Sequence, residues 1–240
     1  MLVLRTVGVT ALVLGVSCGM STTSLAAHSA GDILLRVGAV TVAPDTESGT
    51  VSGLPDGVNN ARVDVEDNTQ LSLTATYMLT DNLGLELLAA TPFTHDIVGK
   101  GDLEGVAVGE TRHLPPTLSL QYHFGGKDGM FNPYVGIGVN YTLFFSEEVD
   151  GQLVSTLNTL PTIAGLGGTH AVDMELDGSL GLAGQAGVDV KVAENWYVNA
   201  AVWYIDIGTT AELTTDLGTT HEVDVDLDPW VYNLAVAYKF

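Results

Sequence analysis

Cysteine is nearly absent: Cys18 is the only one in 240 residues. It lies in an N-terminal segment expected to be removed, after Gly15-Val16-Ser17, where a lipoprotein signal would carry Leu. The exported chain is therefore read as having no thiol, disulfide or lipid anchor, so packing and strand pairing must stabilise it. Positive charge is scarce as well: 8 Lys and Arg against 29 Asp and Glu give a formal charge of −21. That excludes non-specific binding of nucleic acid, which needs a basic surface. Long apolar runs are also missing. Val7–Val16 is too short to cross a bilayer, and no other stretch approaches the roughly 18 apolar residues of a membrane helix. Finally, no nucleophile motif accompanies His95 or His113. Histidines near strand ends are expected to be solvated or to sit at an interface, and the chain is read as not an enzyme, with no cofactor and no metal site.

What is present begins with an export signal. Met1–Arg5 is basic, Val7–Val16 is apolar, and small residues lead to Ser24-Leu25-Ala26-Ala27, so residues 1–27 are read as a signal peptide and 28–240 as one mature domain. At the other end, Trp230, Tyr232, Leu234, Val236, Tyr238 and Phe240 share one parity while Val231, Asn233, Ala235, Ala237 and Lys239 share the other. Successive strand side chains point to opposite faces, so one face is continuously apolar, with aromatic residues near both ends. That is the profile of a lipid-facing strand in an outer-membrane β-barrel, which is how an exported chain without membrane helices can cross a membrane.

Segments of this kind recur, and eight are read: 32–42, 69–80, 83–93, 116–124, 133–145, 179–192, 196–207 and 230–240. The fold class expected is all-β, an eight-stranded antiparallel transmembrane barrel. Short connections rich in Gly, Asn and Asp alternate with four long ones, 43–68, 94–115, 146–178 and 208–229. Turns on the periplasmic side and loops outside give that alternation. The long connections hold 22 of the 29 acidic residues, which places the negative charge at one end of the barrel.

Polar residues must avoid lipid, and this fixes the inside of each strand. Thr74, Ser119, Gln121, His123, Asn140, Gln185, Asp189, Lys191 and Asn199 face inward, as do Arg36 and Glu86. Glu86 brings Leu88 in with it, and Asn199 brings Trp203. Two large apolar groups in a narrow lumen suggest a constriction. Pro92 ends the third strand, and Pro115 and Pro116 open the fourth, its hairpin partner. Proline cannot donate to the ladder, so these strands are expected to part near their outer ends. In Glu222–Asp228, alternating carboxylates with Val223, Val225 and Leu227 suggest a strand continuing beyond the membrane. A calcium loop is not supported, because the Gly that an EF-hand requires is missing.

The segments Leu87–Phe93, His113–Thr117, Pro133–Gly136, Val202–Tyr204 and Leu227–Trp230 resemble the OmpW family of outer-membrane proteins, which includes the alkane-uptake protein AlkL. The likeness runs from about residue 31 to residue 240 and departs mainly in the loops. It implies a barrel in the Gram-negative cell outer membrane that lets small hydrophobic molecules in passively. In that scheme Leu88 and Trp203 narrow the channel, and Pro92 marks a lateral opening. Expected partners are such solutes, outer-membrane lipid and lipopolysaccharide, and the barrel-assembly machinery through the terminal Phe240. A surface receptor or adhesin acting through the acidic loops is the alternative.

Overall fold

The computed structural model describes residues 28–51, 60–125 and 129–240, so the signal peptide read at residues 1–27 lies outside it. In chain order the strands are β1 (Ile33–Ala43), β2 (Glu47–Ser48), β3 (Ala61–Val65), β4 (Asn68–Met78), β5 (Leu83–Ala90), β6 (Phe93–Gly101), β7 (Ala107–Leu114), β8 (Thr117–His123) and β9 (Phe131–Val149). After the short helices α1 (Gly151–Leu157) and α2 (Pro161–Gly165) come β10 (Val172–Leu176), β11 (Ser179–Lys191), β12 (Trp196–Ile205), β13 (Gly208–Thr215), β14 (Thr220–Asp226) and β15 (Trp230–Lys239).

Eight of these strands, β1, β4, β5, β8, β9, β11, β12 and β15, pair antiparallel in a ring. Val37 opposite Val236 closes it between β1 and β15. Pairing puts like parity opposite like, so Leu73, Val139, Leu182 and Val236 stand out from the wall while Thr74, Gln121, Asn140 and Asn199 are buried inside it. The apolar outer band is bounded by aromatic contacts at both ends. Trp196, Tyr238 and Phe240 pack edge to face, with ring centres 4.9 and 4.7 Å apart, at one end, and Tyr204 packs on Trp230 at 5.3 Å at the other.

Among the described residues, the four long connections are largely strand and not loop, contrary to the expectation from sequence. They carry β2, β3, β6, β7, β10, β13 and β14, and the wall continues beyond the aromatic band as two sheets. The cause is the alternation already noted at Glu222–Asp228, which persists in these segments. In β14, Val223 and Val225 are buried while Glu222, Asp224 and Asp226 are exposed, so the carboxylates remain in water and the valines gain a core. One sheet is β3, β6, β7 and the end of β9; the other is β10, β13, β14 and β2.

The third and fourth barrel strands also end earlier than expected, at Ala90 and Thr117 instead of Phe93 and Pro116. Helix α1 packs against β7. Asp150 caps it by accepting a hydrogen bond from the Gln152 N–H at 2.7 Å, and Leu153 and Leu157, one turn apart, are buried with Ile97, Val108 and Leu213.

Candidate functional site

Between the two outer sheets lies an apolar vestibule. Val65, Ile97, Phe144, Leu176, Val225 and Leu227 are among its walls, and it holds about 660 Å³ of empty space, its open mouth included. His95, Thr111 and His113 also line it. The two histidines are not solvated, as their position near strand ends had suggested. Both are buried, with ring centres 4.7 Å apart and Phe93 and Phe144 against the His113 ring. Burial away from water disfavours the imidazolium of both, and for His113 the neighbouring His95 adds to the effect. His113 is thereby brought down to about 3, and His95 is lowered too.

A signal for His113 was present in the sequence. The inward parity of Ser119 and Thr117 carries back to His113, because Arg112–Leu114 of β7 keep the register of β8 against β9; the register shifts only at Thr111. His95 was concealed. Inward residues of β5 are Glu86 and Leu88, yet in β6 they are Phe93, His95 and Ile97, so parity reverses across Thr91-Pro92.

That reversal coincides with an interruption of the wall. Leu88 stands opposite Thr117, and the next pair is Phe93 with His113, so four residues on one strand pass three on the other without a ladder pair. Pro92, Pro115 and Pro116 all fall within it. Carbonyls freed by the interruption are gathered from inside the barrel. Asn140 Nδ2 donates to the Pro115 oxygen at 3.1 Å and to Thr117 Oγ1 at 3.0 Å, while Thr142 Oγ1 donates to Asn140 Oδ1 at 2.7 Å. At the same level Leu88 and Trp203 are buried in one apolar cluster with Val40, Phe93, Ile205 and Val231.

Below this cluster the lumen becomes polar. Arg36 donates to both Asp189 oxygens, at 3.1 and 2.7 Å, to Glu86 at 3.0 Å and to Thr76 Oγ1 at 2.6 Å. All four side chains are 1 % exposed or less. Gln185 donates to Glu86 at 2.7 Å, Gln121 to Gln185 at 3.1 Å, and Gln121 Oε1 meets His123 Nε2 at 3.1 Å. Asn199 donates to Asp189 and to the Tyr134 hydroxyl, both at 2.9 Å. The Tyr134 ring fits because residue 187 is Gly: a Cβ there would collide with it. Fork geometry and satisfied lone pairs make this a stable floor, and a buried ion pair needs both. Lys191, also expected inside, is only half-buried at the lower end.

His28 was not singled out from the sequence. It is buried beneath this floor, its ring 5.1 Å from that of His123, and together with Asp189 these residues bring ligand-capable atoms within 4.8 Å of one another. Asp189 already spends both oxygens on the Arg36 guanidinium, so a cation there would face a positive group across its own ligand. Among the described residues, the partners of His95 and His113 are aromatic rings and the Glu66 carbonyl, with Thr111 opposite His95.

The OmpW family profile matches residues 29–240. Outer membrane protein W of Vibrio cholerae is 41% identical over 229 residues, covering 95% of this chain and 97% of its own. Outer membrane protein AlkL of Ectopseudomonas oleovorans is 25% identical over 182 residues, 75% of this chain and 70% of that protein. Among solved structures, the crystal structure of outer membrane protein OprG from Pseudomonas aeruginosa superposes with a TM-score of 0.75 at 41% identity, covering 89% of this chain and 97% of that one.

Proposed function

The chain belongs to the OmpW family of outer-membrane proteins, and from that premise we propose that it admits small hydrophobic molecules passively. They enter the vestibule, descend as far as Leu88 and Trp203, and leave sideways into the bilayer where Pro92, Pro115 and Pro116 interrupt the wall. The observation that carries this reading is the order of surfaces along the lumen: apolar walls lead down to an ion-paired floor, and the interruption lies between the two. An apolar solute continuing downward would have to displace hydrogen bonds of buried charges and offer none in return, at several kcal/mol by the usual cost of orphaning such groups (about 1–3 kcal/mol each, more when charged). Moving sideways into hydrocarbon costs nothing comparable, because the solute exchanges one apolar surrounding for another. The barrel thus carries the solute past the polar, charged outer leaflet and delivers it to the membrane core.

The test closes the interruption reversibly. Ala90→Cys with Pro115→Cys places a cysteine on each side of it in a mature chain expected to hold no other. Uptake of a fluorescent polycyclic hydrocarbon by cells should fall when the pair is oxidised and recover on reduction. Equal uptake in both states, with the cross-link verified, would contradict lateral release.

A further inference from the structure

We infer that the solute suited to this vestibule carries a hydroxyl group, as an alcohol or phenol on an apolar body, and that His95, Thr111 and His113 recognise it. This inference rests on the uptake reading above and specifies the substrate class. His95 and Thr111 stand directly opposite each other on β6 and β7, and His113 lies two residues further along with its ring 4.7 Å from that of His95. All three are buried and line the same cavity, whose remaining walls are almost wholly aliphatic or aromatic. His95 Nε2, Thr111 Oγ1 and His113 Nε2 have no hydrogen-bond partner. Buried polar atoms are as a rule paired, so three unpaired together on one wall of an apolar cavity point to a ligand that pairs them.

The chemistry narrows that ligand. His95 Nδ1 bonds the backbone carbonyl of Glu66, and a carbonyl only accepts, so Nδ1 carries the proton and Nε2 offers a bare lone pair. The solute must therefore donate. Thr111 can donate in return, so the partner must also accept, and a hydroxyl does both. An ether or a ketone cannot donate to His95, and a carboxylate or ammonium would bring a charge into a cavity that cannot solvate it.

The matched pair 2-naphthol and 2-methoxynaphthalene, both fluorescent, differs in that donor. Protein-dependent uptake by cells should favour the naphthol by about tenfold, equivalent to about 1.4 kcal/mol. His95→Leu should bring the ratio towards one by slowing the naphthol and leaving the ether unchanged. Thr111→Val removes a donor from which both oxygens can accept, so it should slow both compounds and keep the preference. If the parent protein transports both compounds equally, or the ratio survives in His95→Leu, the hydroxyl inference is overturned while uptake itself stands. If neither compound enters in a protein-dependent way, the uptake reading fails, and this inference with it.

Discussion

Arg36→Met is the perturbation whose consequence the structure fixes most tightly. The guanidinium has four hydrogen bonds of 2.6 to 3.1 Å to three side chains, all at most 1 % exposed. Its loss leaves Glu86 and Asp189 as two carboxylates in a dry lumen with no counter-charge. Breaking a buried pair from one side costs about 3–5 kcal/mol, because the partner stays behind uncompensated. Adding Glu86→Gln and Asp189→Asn removes both stranded charges. Their amide oxygens still accept from Gln185 and Asn199, so the triple variant should return to within about 1 kcal/mol of the parent. Urea unfolding in detergent micelles, followed by tryptophan fluorescence, measures both. A cost below about 1 kcal/mol for Arg36→Met alone would mean that the pair is hydrated. The lumen floor would then be wet, and the argument that it turns an apolar solute aside would fail.

Three further outcomes are expected. Arg in place of Leu73, Val139 or Val236, all exposed on the outer band, should destabilise the barrel by about 2–4 kcal/mol, and at the girdle position Trp230 by about 1 or less; equal costs would refute the assigned membrane position. Leu88→Ala or Trp203→Ala should raise the size limit for hydrocarbon solutes in uptake assays while the barrel still folds, and an unchanged limit in both would make these residues packing alone. His113 is lowered to about 3 in the fold from an ordinary 6.5, so its burial is fully compatible with folding above pH 6.5 and opposes it increasingly below, as the opened form takes up the proton. Amide protection factors in β6 and β7 should then fall between pH 6 and 4, and His113→Phe should flatten that dependence.

Much of this architecture is legible in the sequence because lipid imposes a strict rule. Parity alone places Leu88 and Trp203 inside, and it buries Arg36, Glu86, Gln121, His123, Asn140, Gln185 and Asn199. What it misses has definite causes. Polar and acidic residues dominate the long connections by count, yet on one parity their valines and leucines repeat, so the wall continues outward as sheets instead of dissolving into loops. His95 is hidden by the parity reversal at Pro92, which no extrapolation from Glu86 crosses. His28 lies outside any alternating segment, and its place beneath Gln121 and His123 is a long-range contact that local pattern does not encode.

The central claim concerns where an apolar solute goes after the vestibule, and photolabelling reads that path directly. A diazirine-bearing hydrocarbon, irradiated with the protein in outer-membrane vesicles, should mark Phe93, Leu114 and the outward residues Leu87 and Leu118 beside the interruption. Gln121, His123 and Asp189 themselves should stay unmarked. Labelling of those residues of the ion-paired floor, with none beside Pro92, would show passage straight through the barrel and would contradict lateral release.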